Sequence, residues 1–223
     1  IFFQFFVVLI FLLLNKNLII TDLRIDFFND YLEIELISIF FTIFCILILI
    51  NGSNFLDGLN TLVIGYYNLV LITILIISIQ FNLNINPNVY YLIIFLSIIF
   101  LLNFFNKIYL GDAGSYLISF LTAYFLLDFI SNNDSVSPYF ISLLLWYPAF
   151  ENLFSILRRF SLKKKVDQAD QGHLHQMIYT KLKATSFINK KYLNTFAGML
   201  INSFNLIIFS LTYKYYFSTQ KLI

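Results

Sequence analysis

Seven apolar runs occupy most of the chain, and each is long enough, or nearly long enough, to cross a lipid bilayer. They are Ile1–Leu14, which looks like the remainder of a longer run, Ile34–Ile50, Leu59–Ile79, Asn88–Phe105, Ser115–Ile130, Pro138–Leu157 and Tyr192–Thr212. A helix needs about 20 apolar residues to cross the hydrocarbon core. The pattern therefore predicts an all-α fold, a polytopic membrane bundle of about seven transmembrane helices that forms a single domain over residues 1–223.

Three polar stretches interrupt this pattern at the ends of every second run: Asn51–Gly58, Lys107–Ser115 and Arg158–His175. Because alternate ends of consecutive spans lie on the same side of a membrane, we expect loops at about 51–58, 106–114 and 158–191 to share one face. Nine of the 14 Lys and Arg residues lie between positions 158 and 191. The positive-inside rule makes this face cytoplasmic.

The composition agrees with a membrane protein. The chain is 60% hydrophobic and 12% charged, with a mean hydropathy of +0.82, well above the usual range of soluble domains. The uncharged run Leu59–Leu75 could also be a buried helix of a soluble protein, but seven such runs argue against that reading. Cys45 is the single cysteine, so no intrachain disulfide can form. The chain starts at Ile1 inside an apolar run, which indicates a fragment of a longer protein.

The first polar stretch carries Asn51, Asn54 and Asp57 at a spacing of three, followed directly by Gly58. On a helix this spacing forms a slanted polar stripe, and the glycine permits a bend or a close backbone approach. Amide and carboxylate oxygens suit Mg²⁺ or a polar sugar. A simple helix-end cap at the membrane interface is the alternative interpretation.

The second stretch is expected to form a compact loop between two spans. In it, Gly111 and Gly114 flank the carboxylate of Asp112, which leaves its oxygens open to a bulky ligand. Asp112 or Ser115 could cap the following helix, whose positive dipole end attracts phosphate. A tight interhelical turn is the alternative, and Lys107 could simply mark the membrane interface.

The third stretch combines basic residues with histidines. Arg158, Arg159 and Lys163–Lys165 could obey the positive-inside rule or contact anionic lipid headgroups. His173 and His175 are two residues apart, which suits an extended or loop backbone better than one face of a helix.

Two further readings concern acidic residues near this stretch. Asp170 with both histidines could bind a transition metal, although no cysteine or third histidine supports zinc. Glu151 follows Pro148 by three residues, and a carboxylate near the end of a span is costly unless it is paired. We expect Glu151 to form a structural salt bridge with Arg158 or Arg159.

The motifs NxxNxxDG, KxxxGDAGS, PxxE, RR and DxxHxH follow one another in this order from about Ile1 to Tyr179. Together they resemble the polyprenyl-phosphate N-acetylhexosamine-1-phosphate transferases (glycosyltransferase 4 type), in the branch that uses UDP-N-acetylhexosamines. The resemblance implies a multi-pass protein of the bacterial inner membrane with a cytoplasmic active site. The family transfers a sugar 1-phosphate from a UDP-sugar to undecaprenyl phosphate, releases UMP, requires Mg²⁺ and starts the assembly of cell-surface glycans.

The resemblance also implies roles for individual residues. Asp112 would be the leading Mg²⁺ ligand, and Asn54 and Asp57 would help to bind the metal or the nucleotide-sugar. His173 and His175 would contact the diphosphate or the sugar as catalytic groups.

The remaining candidates would bind the anionic or polar parts of the substrates: Lys107, Arg158, Arg159 and Asp170. The expected partners are a UDP-N-acetylhexosamine, undecaprenyl phosphate and the lipid bilayer. No nucleic acid is expected, and a homodimer is left open.

The chain departs from the family pattern at several positions. The family carries an adjacent Asp pair in an earlier loop, and this chain contains none, so we expect the pair upstream of Ile1 and an inactive fragment. Asn60 and Thr61 stand where the family often has Asp and Gly, which weakens Asn60 as a ligand. Gln171 and Gln176 replace a usual basic residue and the last histidine.

Two other classes of function remain at this point. A degenerate membrane protein that binds lipid phosphate or a partner without catalysis would fit the missing Asp pair and Gln176. A transporter would want charged groups at mid-membrane depth, whereas the candidates Asp128 and Glu151 lie near the ends of their runs.

Overall fold

The computed structural model describes residues 1–161, 172–184 and 189–223, without the side chain of Arg159. Within these ranges the chain is helical and contains no strand, which confirms the predicted all-α class. Eleven α-helices are described: α1 Phe2–Leu14, α2 Asp26–Leu32, α3 Glu35–Leu56, α4 Leu62–Phe81, α5 Asn88–Phe104, α6 Gly111–Ser131, α7 Pro138–Leu144, α8 Trp146–Ser161, α9 Leu174–Ala184, α10 Leu193–Thr212 and α11 Thr219–Leu222.

All seven apolar runs are helical, but fewer of them are long enough to be membrane spans than the sequence predicts. In the described part of the chain, α3, α4, α6 and the segment Leu193–Tyr215 are long and apolar enough to cross a membrane. The pair α7 and α8 would be a fifth span, broken by a bend of 72°. Helices α1 and α5 have only 13 and 17 residues. Among the described residues, the seven predicted runs thus correspond to four or five candidate spans and the two shorter apolar helices α1 and α5.

The polar stretches are more helical than expected. Helix α3 continues through Asn51 and Asn54 to Leu56, because these polar side chains do not interrupt its backbone; Asn51 Nδ2 donates back to the Leu47 carbonyl oxygen at 2.8 Å. Helix α6 begins at Gly111, so Asp112 lies in its first turn. The connections that replace the predicted loops at 51–58 and 106–114 are 57–61 and 105–110, and α9 lies within the predicted loop 158–191.

The break between α7 and α8 has a covalent cause. Pro148 has no N–H, so the carbonyl of Leu144, four residues earlier, loses its helical partner. The hydroxyl of Tyr66 in α4 donates to that carbonyl oxygen at 2.7 Å, and the indole of Trp146 donates to Asn205 Oδ1 of α10 at 2.9 Å. Neighbouring helices thus replace the lost hydrogen bond, as a bent span in a bilayer requires.

Helix α8 places its polar side toward the protein and its apolar side outward. Glu151, Asn152 and Ser155 are buried, whereas Leu157 and Phe160 are exposed. Asn152 Nδ2 donates to the Ile48 carbonyl of α3 at 3.0 Å. This inverted distribution is expected where the outer medium is lipid. It also turns the polar side of α8 toward the end of α3 that carries Asn54 and Asp57.

Helices α3 and α8 approach each other closely. A Cβ atom at Gly52 would overlap the carbonyl of Pro148, so only glycine permits this backbone contact. Helices α4, α5 and α10 form the neighbouring part of the bundle. The ends of α3 and α5 and the starts of α4, α6 and α10 meet at one end of the bundle.

Candidate active site

The connection between α3 and α4 is held by asparagines from other helices. Thr61 has a left-handed backbone (φ 68°), and its N–H donates to Asn103 Oδ1 of α5 at 2.5 Å. The Thr61 carbonyl accepts from Asn202 Nδ2 of α10 at 2.8 Å. The N–H of Asn60 donates to Asn194 Oδ1 at 2.9 Å. These bonds fix the backbone that directly follows Asp57.

The side chain of Asn60 belongs to the same support. It is buried, and its Nδ2 donates to Asn106 Oδ1 at 2.6 Å. Asn60 therefore has a structural role here, which agrees with the sequence analysis, where Asn60 is a weak candidate for a metal ligand. The sequence analysis missed Asn103, Asn194 and Asn202. The signal was present, because an amide inside an apolar run must find a hydrogen-bond partner.

Asp57 and Asp112 form the acidic part of the site. Asp57 follows α3 and is half-buried, and Asp112 is exposed in the first turn of α6. Burial, and then the negative charge of Asp112, raise the pKa of Asp57 to about 6, although the backbone N–H of Gly111 donates to its carboxylate and acts in the opposite direction. Two carboxylates in this relation favour a bound cation.

Asn54 lies one helical turn before Asp57 and faces the same helix start. The hydroxyl of Ser115 lies 3.4 Å from Asn54 Oδ1 and 3.0 Å from the Asp112 carbonyl oxygen. The structure therefore brings Asn54, Asp57 and Asp112 together between α3 and α6. The expected capping of α6 by Asp112 or Ser115 is wrong, because Leu110 holds the cap position and no side chain caps it.

Glu151 pairs with the histidines. Its Oε2 lies 2.9 Å from His173 Nδ1, and its Oε1 accepts the N–H of Leu174 at 2.9 Å. His175 Nδ1 lies 3.8 Å from Oε1. Because a carboxylate only accepts, the Nδ1 of His173 carries a proton. All three charged or titratable side chains are buried.

The predicted salt bridge between Glu151 and Arg158 is therefore wrong. The two residues are seven positions apart on α8, whereas the start of α9 folds directly onto Glu151. The guanidinium of Arg158 instead donates to the carbonyl of Gly172 and lies over the ring of Phe154. The side chain of Arg159, the other predicted partner, lies outside the described part of the structure.

The two histidines are brought together by the start of a helix. His173 precedes α9 and His175 lies in its first turn, so a spacing of two places both rings beside Glu151. The rings stack with centroids 5.5 Å apart, and the ring of Phe55 stacks on His173 at 5.3 Å. Phe55 thereby connects the histidines to α3, next to Asn54.

His175 stands out because neither of its ring nitrogens has a hydrogen-bond partner in the described residues, although the residue is only 1% exposed. A Cβ atom at Gly58 would lie 2.8 Å from His175 Nε2. The absence of a side chain at position 58 therefore lets the imidazole reach the backbone that follows Asp57. Buried polar atoms without partners are costly, which is typical of a site that awaits a ligand.

The other predicted residues are less central. Lys107 is exposed in the connection before α6, and Asp170 lies outside the described ranges, as do Lys163–Lys165 and Gln171. Within those ranges there is no cluster of three or more His, Cys, Asp or Glu side chains that could hold a metal. The described pair of carboxylates, with the Asn54 amide oxygen nearby, fits Mg²⁺, which uses one or two carboxylates and takes its other ligands from water and substrate phosphate.

A comparison with protein families shows to which family the chain belongs. The model of the family described as glycosyl transferase family 4 matches residues 1–130, more than half of the 223 residues. The chain belongs to glycosyl transferase family 4. This family comprises polyprenyl-phosphate sugar-1-phosphate transferases, which confirms the resemblance seen in the motifs. No curated protein and no solved structure shows a significant match to the chain.

Membership in glycosyl transferase family 4 gives this protein its substrate classes, a nucleotide-sugar and a polyprenyl phosphate, and places it in a membrane. The matched region contains Asn54, Asp57 and Asp112. It ends before Glu151, His173 and His175, so the connection of these residues to the site is made by the structure.

Proposed function

We propose that this member of glycosyl transferase family 4 transfers N-acetylhexosamine 1-phosphate from a UDP-sugar to undecaprenyl phosphate and releases UMP. The reaction takes place at the cytoplasmic face of a bacterial inner membrane and begins the synthesis of a cell-surface glycan such as lipopolysaccharide. One observation carries the proposal: the carboxylates of Asp57 and Asp112 and the buried pair His173 and His175 converge at one end of an apolar bundle.

The chemistry that such a site must support is phosphoryl transfer. An oxygen of the lipid phosphate attacks the sugar-bearing phosphorus of the UDP-sugar, and the bond from that phosphorus to the bridging oxygen breaks, so UMP leaves with the bond's electron pair. A phosphate monoester has a second pKa near 6 and is already largely ionised at pH 7. The nucleophile therefore needs little help from a base, and the task of the protein is to position two polyanions.

Asp57 and Asp112 are proposed to hold Mg²⁺, which when bound neutralises charge on the diphosphate. Asn54 supplies a neutral oxygen beside them. His175 has its unpartnered Nε2 next to Gly58 and is proposed to donate from it to the diphosphate or the sugar. His173, held by Glu151, fixes the orientation of the neighbouring ring.

Four more residues are proposed to bind the substrates. Lys107 carries positive charge in the connection that leads to Asp112, and Arg158 carries it beside Gly172, which directly precedes His173. Arg159 and Asp170 are assigned to the same task by the resemblance of their motif.

The test is an assay of UMP release by the full-length protein in membranes that contain undecaprenyl phosphate, Mg²⁺ and UDP-N-acetylglucosamine. We expect UMP only when both the lipid and the metal are present. If UMP appears without lipid, the protein is a hydrolase. If no UDP-N-acetylhexosamine gives UMP, the transferase proposal fails and a non-catalytic protein that binds lipid phosphate is favoured.

A further inference from the structure

A polar cavity lies beside the candidate active site, between the α3–α4 connection, α9 and the start of α10. Its volume is about 460 Å³, within the usual range of small-molecule sites. It is lined by Gly58, Leu59, Gln176, Tyr179, Thr180 and Asn194.

The lining shows what kind of group the cavity suits. None of the six residues is charged, while four of them carry an amide or a hydroxyl group. A phosphate would need cationic partners or several converging N–H donors, and the six described lining residues include no cation. The cavity therefore fits a neutral ligand with many hydroxyl or amide groups.

The cavity borders the site that is proposed to bind the diphosphate. Gly58 belongs to both, because it follows Asp57, lies against His175 Nε2 and also lines the cavity. A ligand whose diphosphate occupies the site at Asp57 and His175 would thus place its neutral end in the cavity.

The described hydrogen bonds leave polar capacity in the lining. Asn194 uses its Oδ1 to accept the N–H of Asn60, and its Nδ2 donates to no described residue. The hydroxyl of Thr180 donates to the Gln176 carbonyl oxygen at 2.8 Å and retains its lone pairs as acceptors. The cavity can therefore both donate to and accept from a ligand.

From these observations we infer that the cavity holds the sugar ring of the nucleotide-sugar donor and that Tyr179, Thr180 and Asn194 determine which sugar is accepted. This inference rests on the proposed function for the presence of a nucleotide-sugar. It goes further in naming the residues that separate one sugar from another.

The experiment compares the affinities of the full-length protein, in detergent, for UDP and for UDP-N-acetylglucosamine. Tyr179→Phe/Thr180→Val removes two hydroxyls from the cavity with little change in volume. Asn194 is left intact because it holds the α3–α4 connection. Tyr139→Phe/Ser142→Ala is the matched control, since it removes the same kinds of group from α7.

We expect the wild-type protein to bind UDP-N-acetylglucosamine more tightly than UDP. In the cavity variant the ratio of the affinity for UDP-N-acetylglucosamine to the affinity for UDP should fall by about fivefold, the effect of losing one or two hydrogen bonds. The affinity of this variant for UDP should stay unchanged. The control variant should keep the wild-type ratio. The ratio between UDP-N-acetylglucosamine and UDP-N-acetylgalactosamine should shift as well.

Three results would overturn the inference. Equal affinity of the wild-type protein for UDP and for every UDP-sugar would show that no sugar site exists. An equal loss of affinity for UDP and for UDP-N-acetylglucosamine in the cavity variant would place the uracil ring, and not the sugar, in the cavity. An unchanged ratio in that variant would show that the two hydroxyls do not face the sugar.

The outcome is separable from that of the proposed function. If the wild-type protein releases no UMP but the ratio falls in the cavity variant, the transferase proposal fails and the sugar site stands. If UMP is released and the ratio does not change in the cavity variant, the transferase proposal stands and the sugar site fails. If the wild-type protein binds no uridine nucleotide, both fall.

Discussion

The carboxylate of Glu151 and the carboxylates of Asp57 and Asp112 lie in the same site, and their surroundings differ completely. Both oxygens of Glu151 are used, one by His173 and one by the N–H of Leu174. The negative charge of Asp112 acts on Asp57, and no described cation pairs with either carboxylate. Glu151 is therefore paired within the protein, whereas Asp57 and Asp112 are the carboxylates that we propose to bind Mg²⁺.

This difference separates residues that build a site from residues that act in it. A buried carboxylate must be paired to be tolerated, so Glu151 is expected to contribute to folding and to position the histidines. A half-exposed carboxylate that is repelled by its neighbour costs stability and is retained for what it binds. Stability and activity should therefore respond in opposite ways to substitutions in the two groups.

The largest effect on activity is expected from Asp112→Asn. Removal of one of the facing carboxylates should reduce UMP release by about 100-fold or more, while the melting temperature of the metal-free protein stays the same or rises because a repulsion is relieved. Asp128→Asn, at the opposite end of α6, is the control and should keep both properties. Full activity of Asp112→Asn would remove Asp112 from the metal site.

Glu151→Gln should show the reverse order of effects. Glutamine has one acceptor oxygen where glutamate has two, so either the N–H of Leu174 or the Nδ1 of His173 loses its buried acceptor, and we expect a loss of about 2 kcal/mol in the free energy of unfolding. Denaturation in detergent measures it. Glu35→Gln serves as the control, because the Lys16–Glu35 pair is exposed and its loss should leave the melting temperature unchanged. Equal melting temperatures for Glu151→Gln and the wild type would show that Glu151 does not contribute to folding more than Asp57 and Asp112 do.

Gly58→Ala tests the contact between the two groups. Its methyl group would meet His175 Nε2 at 2.8 Å, so the ring must move, and activity should fall by about tenfold or more through misplacement alone. In a double-mutant cycle, His175→Asn should recover the stability lost in Gly58→Ala without recovering activity. Additive effects of the two substitutions on stability would show that the side chains do not touch.

The smallest effect concerns the stability of the metal-free protein as a function of pH. The pKa of Asp57 is raised from 3.8 to about 6, so the folded state keeps a proton that the unfolded state releases. The free energy of unfolding should therefore fall as the pH rises from about 4 to about 6 and be insensitive to Asp57 above that range.

Asp57→Asn should lack this component, and melting curves with a chelator from pH 4 to pH 7.5 would reveal it. Mg²⁺ added at pH 7 should stabilise the wild type and leave Asp57→Asn nearly unaffected. Parallel pH curves for the two proteins would show that Asp57 titrates as an ordinary surface carboxylate.

Much of the fold follows from the sequence because a long apolar run in a membrane satisfies its own backbone hydrogen bonds by forming a helix. The seven runs all became helices. What the sequence analysis could not place were the polar ends of these helices. The predicted loop bounds of 51–58 include Asn51 and Asn54, whereas their spacing of three indicates a helical stripe, and the structure places both on α3, where Asn51 bonds to the preceding turn.

The candidate site, too, can be predicted only in part from the sequence. The motifs predict Asn54, Asp57, Asp112, His173 and His175 as site residues from their types and order, and their roles remain predictions. The partner of Glu151 depends on how α9 folds against α8, and the cavity at Tyr179 and Thr180 depends on where α10 begins. These relations join residues distant along the chain, which a local pattern does not report.

The asparagines of α10 have a consequence for how the protein is made. A membrane chain is synthesised from its N-terminus, and α10 leaves the ribosome after every helix that carries a catalytic candidate. Asn194 and Asn202 hold the backbone behind Asp57, and Asn205 holds the α7–α8 break. Until α10 is inserted, the nascent protein carries its acidic and histidine residues without the support that aligns them. The hydrogen bonds that hold the backbone behind Asp57 can therefore form only after Asp57, Glu151 and both histidines have been synthesised.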